Sequence, residues 1–213
     1  MTHRNPIWLS ALDSMNRFEL DTAEKFLLLS EFNFAREQEK LDREYKKYPK
    51  SYWEEDLGPG TKMVDGLADD YTEISDMQRL NRYFGVILIF SALERVLSRI
   101  YRDAERLKLI KPSKRILNFK LCVKALKKDL GIDHTLRVAE YRALNKLLAI
   151  RNSVAHDMGR VHARSIKKLR QYKFKEHELI ELSEKYFFEI KDFVRTECLF
   201  IIESYRKIIA GLS

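Results

Sequence analysis

The chain is short of everything that breaks a helix or builds a tight loop: its 213 residues include only 7 glycines and 4 prolines. It shows no strand-and-turn alternation, no low-complexity tract and no fixed-period repeat, which excludes a β-sandwich, a disordered chain and a solenoid. A glycine-rich phosphate loop, an HExxH pair and a GxSxG elbow are all missing, so the best-known phosphate-binding, zinc-protease and hydrolase chemistries have no motif to work with. The two cysteines, Cys122 and Cys198, lie in apolar helical stretches with no metal-ligand spacing and read as reduced, buried thiols. The most apolar run, Phe84–Leu93, is too short to cross a bilayer and is followed at once by Glu94 and Arg95. The N-terminus "MTHRNPIWLSALDSMNR" lacks the apolar core of a signal peptide. These absences predict a soluble, cytoplasmic protein with no membrane partner.

What remains is charged and helix-forming. Hydrophobic residues make up 45% and charged residues 34% of the chain, a balance that suits an all-α fold. The net charge of +8 is unevenly spread. Residues 1–70 hold 10 Lys/Arg against 15 Asp/Glu, whereas the segment from Arg95 to Lys175 holds 23 against 6. The basic stretch suits a polyanion such as RNA or DNA, and a basic surface without a partner is the plainer alternative. The acidic N-terminal part could then cover the basic groove as an inhibitory arm.

The breakers cluster between Tyr48 and Gly66, in "YPKSYWEEDLGPGTKMVDG". They divide the chain into an N-terminal helical extension and loop, residues 1–66, and a helical domain, residues 67–213. Helical periodicity covers 7–47, a long stretch from about Tyr71 to Leu107, and a segment that Ser113 can cap and Gly131 can end. A further helix runs from near Asp133 or Thr135 to a stop at Gly159, and the last spans about Glu176–Ala210. The central part of the long helix, Tyr83–Leu97, is apolar on nearly every side, as in a helix at the centre of a bundle, with Gly85 as a close-packing point. The expected architecture is a bundle of four to five helices with the N-terminal extension.

Metal sites are not expected. The five histidines form no cluster, and Asp69, Asp70 and Glu73 sit where a helix start would favour acidic side chains anyway. The chemistry falls instead on "RNSVAH", Arg151–His156. Chance alone supplies about one Arg-x₄₋₆-His pattern in such a chain, and Arg170–His177 is a decoy of that kind. Position separates the two. On a wheel of ~100° per residue, Leu144, Leu147, Ile150 and Val154 gather on one side. Arg151, Ala155, Asn152 and His156 take the adjoining ~140°, a polar arc with a small residue in its middle. The decoy has Tyr172 and Phe174 between its ends and straddles an expected helix start.

A histidine titrating near neutrality can exchange a proton with a ribose 2′-OH or a leaving 5′-oxygen. An always-charged, forked arginine can hold the phosphate between them. The adjoining Asn152 can orient either. The plainer reading pairs Arg151 with an acidic residue, lets His156 favour the helix C-terminus and leaves Asn152 solvated. Because Arg151 and His156 point apart within one chain, a compact site forms more readily from two such helix ends across a two-fold axis.

With "RNSVAH" at the end of the penultimate main helix and "FSALERVLSRIY" in the long helix before it, the chain resembles the HEPN superfamily over roughly residues 71–210. The resemblance implies an all-α bundle acting as a metal-independent endoribonuclease without a cofactor, a homodimer whose motifs meet, and a 2′,3′-cyclic phosphate product. It implies catalytic roles for Arg151, Asn152 and His156 and a supporting one for Glu94, for which an ion pair with Arg95 or Arg99 is the structural alternative. Arg160, Arg164, Lys167 and Lys168 would help hold the RNA backbone. Such proteins serve as toxins or anti-phage effectors, which implies an antitoxin or regulatory protein as a further partner. The rival expectation is a non-catalytic helical module binding nucleic acid or a partner protein.

Overall fold

The computed structural model describes residues 7–58, 61–111, 119–132, 138–161, 166–167 and 169–211. Among them six α-helices dominate: α1 (Ile7–Lys47), α2 (Lys50–Trp53), α3 (Met63–Arg106), α4 (Phe119–Leu130), α5 (Val138–Asp157) and α6 (Glu184–Ala210). A two-stranded antiparallel hairpin, β1 (Asp56–Gly58) with β2 (Thr61–Lys62), is the small exception to an all-helical chain.

The long helix α3 is the centre of the bundle. Val86, Ile89, Phe90, Leu93, Leu97 and Ile100 are each buried, because this part of the chain is apolar around most of its circumference. Helix α1 packs along one side of α3, α6 contacts both, and α4 and α5 lie against α3. Gly85 makes room for the Phe187 ring of α6: a β-carbon there would stand 2.4 Å from Cε2 of Phe187.

Helix α3 begins at Met63, eight residues before the expected Tyr71. Asp65 makes the earlier start possible, its Oδ2 accepting the Lys62 backbone N–H at 2.6 Å in the first turn. Asp69 and Asp70 therefore lie within the helix, and Asp65 is the acidic residue at its positive end. The expected division at residue 66 consequently falls inside α3.

Helix α1 is no loose arm. Leu9, Leu12, Leu20 and Leu27 belong to the same core as α3 and α6. Its carboxylates are also spent on the bundle. Glu31 takes a bidentate bond from Arg82 at 2.6 and 2.9 Å, and Glu24 meets the buried Lys191 of α6 at 2.7 Å. Glu19 pairs with Arg95, and Asp42 accepts from the Tyr71 hydroxyl. An acidic segment that merely covers a basic groove is therefore the wrong picture, since its removal would strip the core.

The last helix starts at Glu184, capped by the Ser183 hydroxyl accepting from the Tyr186 N–H at 3.1 Å, not near Glu176 as expected. Residues before it run extended against the end of α5, with Arg160 and Leu179 forming an antiparallel bridge. His177 has φ 66°, which helical residues do not adopt. Both cysteines are buried and free.

Candidate functional site

Helix α5 carries the site, and its apolar side anchors it. Leu144, Leu147, Ile150 and Val154 are all buried, as the wheel predicts. Ala155 and His156 are exposed, while Arg151 and Asn152 are half-buried between the two sides.

The end of α5 is held in place by backbone and by one ring. Gly159 N–H donates to Ser153 O at 3.1 Å, closing the helix with the left-handed φ of 78° that glycine supplies readily. Ile180 N–H then donates to Gly159 O at 2.9 Å, and Val161 N–H to Glu178 O at 2.9 Å. Tyr83 of α3 covers this junction, its buried hydroxyl donating to Ile180 O at 2.6 Å. His156 is thus carried by a helix end clamped between α3 and the strand-like segment before α6.

Arg151 is the best-fixed member. Its Nη2 donates to Glu94 Oε2 at 3.2 Å, and its Nη1 to Asn152 Oδ1 at 3.1 Å. The guanidinium lies over the ring of Phe90, 5.4 Å from its centre. Its Nε is buried with no hydrogen-bond partner. Phe90 and Glu94 are one turn apart on α3, so one face of that helix supplies both the stacking surface and the counter-charge. Exposures of 24% for Arg151 and 32% for Glu94 leave the pair reachable from solvent.

The structure therefore unites Arg151, Asn152 and Glu94. Glu94's expected alternatives do not apply in one respect, because Arg95 is bonded to Glu19 of α1 instead. His156 stands on the exposed side, five residues on, about 7.5 Å further along the axis. Glu94 also acts on α4: the Cys122 thiol is pushed up to about 11, first by burial and then by the negative charge of Glu94.

The other expected residues are more scattered. Arg160 is exposed and reaches the His177 carbonyl only at 3.5 Å, and Lys167 is exposed. Arg164 and Lys168 lie outside the described residues. The decoy pair stays apart in role, with Arg170 on a 3₁₀ turn (Arg170–Tyr172) and His177 tied through its backbone N–H to Val161 O at 2.8 Å. Among the described residues no group of acidic, histidine or cysteine side chains could hold a metal ion, and no helix is long and apolar enough to cross a membrane.

Two contributors escaped the sequence reading. Phe90 could have been found from its spacing of four to Glu94. Tyr83 could have been found as a tyrosine inside an aliphatic helix, where its hydroxyl needs a partner. A separate cleft of about 570 Å³ at the start of α6 holds Arg79 and Arg82. Arg82 is committed there to Glu31 of α1 and to the Leu182 carbonyl and so braces the bundle, while Arg79 pairs within α3 with Asp76 at 2.8 Å. No protein-family model, curated protein or solved structure matches the chain, which leaves the site to be read from its own geometry.

Proposed function

We propose that the protein is a metal-independent endoribonuclease of HEPN type, a toxin or anti-phage effector whose working site spans two copies of the chain. One observation carries this reading: a guanidinium held by a carboxylate and an aromatic ring lies on the same helix end as an exposed histidine. In the proposed reaction, the imidazole of His156 takes the proton of a ribose 2′-OH. The 2′-oxygen forms a bond to phosphorus, the bond from phosphorus to the 5′-oxygen breaks, and the 5′-oxygen leaves protonated. The products are a 2′,3′-cyclic phosphate and a 5′-hydroxyl. A second His156, from the other copy, is suited to deliver the leaving-group proton.

Arg151 binds the phosphate through donors still open on its guanidinium and stabilises the charge that builds as the 2′-oxygen attacks. Glu94 and Phe90 orient it, and Asn152 fixes its second edge. Arg160 and Lys167 hold the flanking backbone.

The second reading, a non-catalytic RNA-binding or protein-binding module, is favoured by the same Arg151–Glu94 contact, since an ion pair needs no substrate to explain it. Cleavage of single-stranded RNA in EDTA by wild type, Arg151→Ala and His156→Ala separates the two. The ribonuclease reading expects loss in both variants, by roughly 10²–10⁴-fold for His156→Ala. Full cleavage by His156→Ala overturns the catalytic assignment, and salt-sensitive RNA binding without cleavage by wild type favours the module.

A further inference from the structure

Helix α4 carries its charges differently from its neighbours. On α1 and α6 several exposed cations sit three or four residues from an acid and pair with it, as in Arg17–Asp13, Lys40–Glu37 and Arg206–Glu203. On α4 the exposed cations are Lys120, Lys124, Lys127 and Lys128, and every residue three or four positions from them is another lysine or is uncharged. On a wheel of about 100° per residue the four fall within about 100° of one another, opposite the buried Cys122 and Leu126. Among the described residues, Lys120, Lys124 and Lys128 have no acidic partner. Like charges at this spacing repel, so the helix itself does nothing to neutralise the stripe.

We propose that the lysine stripe of α4 binds the backbone of the RNA strand whose scissile phosphate meets Arg151. The proposal rests on the RNA-binding part of the reading above and not on its chemistry, and it adds a helix that lies outside the "RNSVAH" motif. Position supports it first. Phe119, in the first turn of α4, lies against Phe90 with the ring centres 5.2 Å apart, and Phe90 is the ring that carries the Arg151 guanidinium. The Cys122 thiol, pushed up first by burial, also feels the charges of Glu94 and Arg102 of α3. The buried side of α4 therefore rests on both supports of Arg151, and the exposed Arg102 adds a further cation beside it.

Spacing supports it second. Lys120, Lys124 and Lys128 follow one another at about 6 Å along the helix axis, close to the step between successive phosphates of an extended strand. Chemistry selects the partner. An ammonium group is a point charge that holds phosphate oxygens and reads no base, which suits a strand gripped by its backbone beside a site that acts on that backbone. An anionic lipid surface is disfavoured, because Phe119, Cys122 and Leu126 are buried in the core and leave α4 no apolar side to insert among acyl chains.

The test is fluorescence anisotropy of the full chain with a single-stranded 2′-O-methyl RNA, which has no free 2′-hydroxyl and cannot be cleaved, over a range of salt concentrations. Lys120→Gln combined with Lys124→Gln and Lys128→Gln is expected to lower the slope of log affinity against log salt by about 2, at about 0.7 for each lost phosphate contact. This triple variant is expected to melt no lower than wild type, since it relieves repulsion between like charges. The matching triple change to arginine keeps the charges and is expected to keep the slope. Lys40→Gln, which removes a cation already paired with Glu37, is expected to leave the slope unchanged. An unchanged slope in the glutamine triple overturns the proposal, and so does a wild type that fails to bind the RNA. Binding to phosphatidylserine vesicles that the glutamine triple loses, with its RNA slope intact, overturns it in favour of a lipid surface. Cleavage is read separately on unmodified RNA of the same sequence. A wild type that binds through the stripe and leaves this RNA intact sinks the ribonuclease reading alone, and a cleaving protein whose slope ignores the stripe sinks this one alone.

Discussion

The ring of Tyr83 occupies the space where a side chain on Gly159 would begin: a β-carbon at Gly159 would lie 2.2 Å from both Cζ and the hydroxyl oxygen of Tyr83. The residue also has φ 78°, so steric conflict and backbone preference both demand glycine there. Gly159→Ala is expected to cost about 2–4 kcal/mol. Differential scanning calorimetry should register this as a fall in Tm of roughly 5–10 °C. A variant that melts with wild type would mean the ring moves aside freely and the end of α5 is not clamped.

Glu94 is expected to act on cleavage by positioning Arg151. Glu94→Gln keeps an acceptor at the same distance and should retain most activity. Glu94→Ala releases the guanidinium and should lower kcat about 10–100-fold. Because the pair is partly exposed, stability should fall by no more than about 1 kcal/mol. Steady-state kinetics alongside thermal melts separate the two effects, and a wild-type kcat for Glu94→Ala would remove Glu94 from the site.

Alkali should destabilise the fold. Burial pushes the Tyr186 hydroxyl up to about 12, and burial followed by the charge of Glu94 pushes the Cys122 thiol up to about 11. Tyr205 is also raised, by burial and by its bond to Asp103 at 3.0 Å. Each is an acid whose folded pKa exceeds its unfolded value, so the folded state binds more protons in the window between the two. The stability these groups contribute is present below about pH 9 and is lost as pH rises through 11 to 12. Urea melts from pH 8 to 11 should show a falling midpoint, less steeply in Tyr186→Phe. A flat profile would mean these groups titrate in the native state as they do in the unfolded chain.

Arg160 and Lys167 are expected to contact phosphate and not bases. Arg160→Ala or Lys167→Ala should weaken RNA binding evenly across sequences, each lowering the slope of log affinity against log salt by about 0.7–1. Filter binding at several salt concentrations reads this directly, and a change confined to one RNA sequence would assign base contact instead.

The helices were mostly legible because their signals are local. Gly131 ends α4 with φ 66° and Gly159 follows α5, each recognisable as a glycine beyond an apolar repeat. The apolar side of α5 was readable for the same reason. What escaped depends on distant partners. Glu94 had Arg95 and Arg99 as sequence neighbours, yet it pairs with Arg151, 57 residues away, once Glu19 of α1 has taken Arg95. Residues 178–183 have helix-forming side chains, and they run extended because Gly159, Val161 and Tyr83 offer their backbone better bonds. The role of α1 was hidden by its acidity, which suggested a cover when its carboxylates are ties to Arg82, Arg95 and Lys191.

Those ties have a consequence for how the molecule meets a charged polymer. By pairing with Arg82, Arg95 and Lys191, α1 neutralises cations of α3 and α6, while α4 keeps four lysines against one aspartate. The basic excess of the chain is thus carried by α4 and not by the cations that α1 covers. A polyanion meeting the protein would be drawn toward that side before contact.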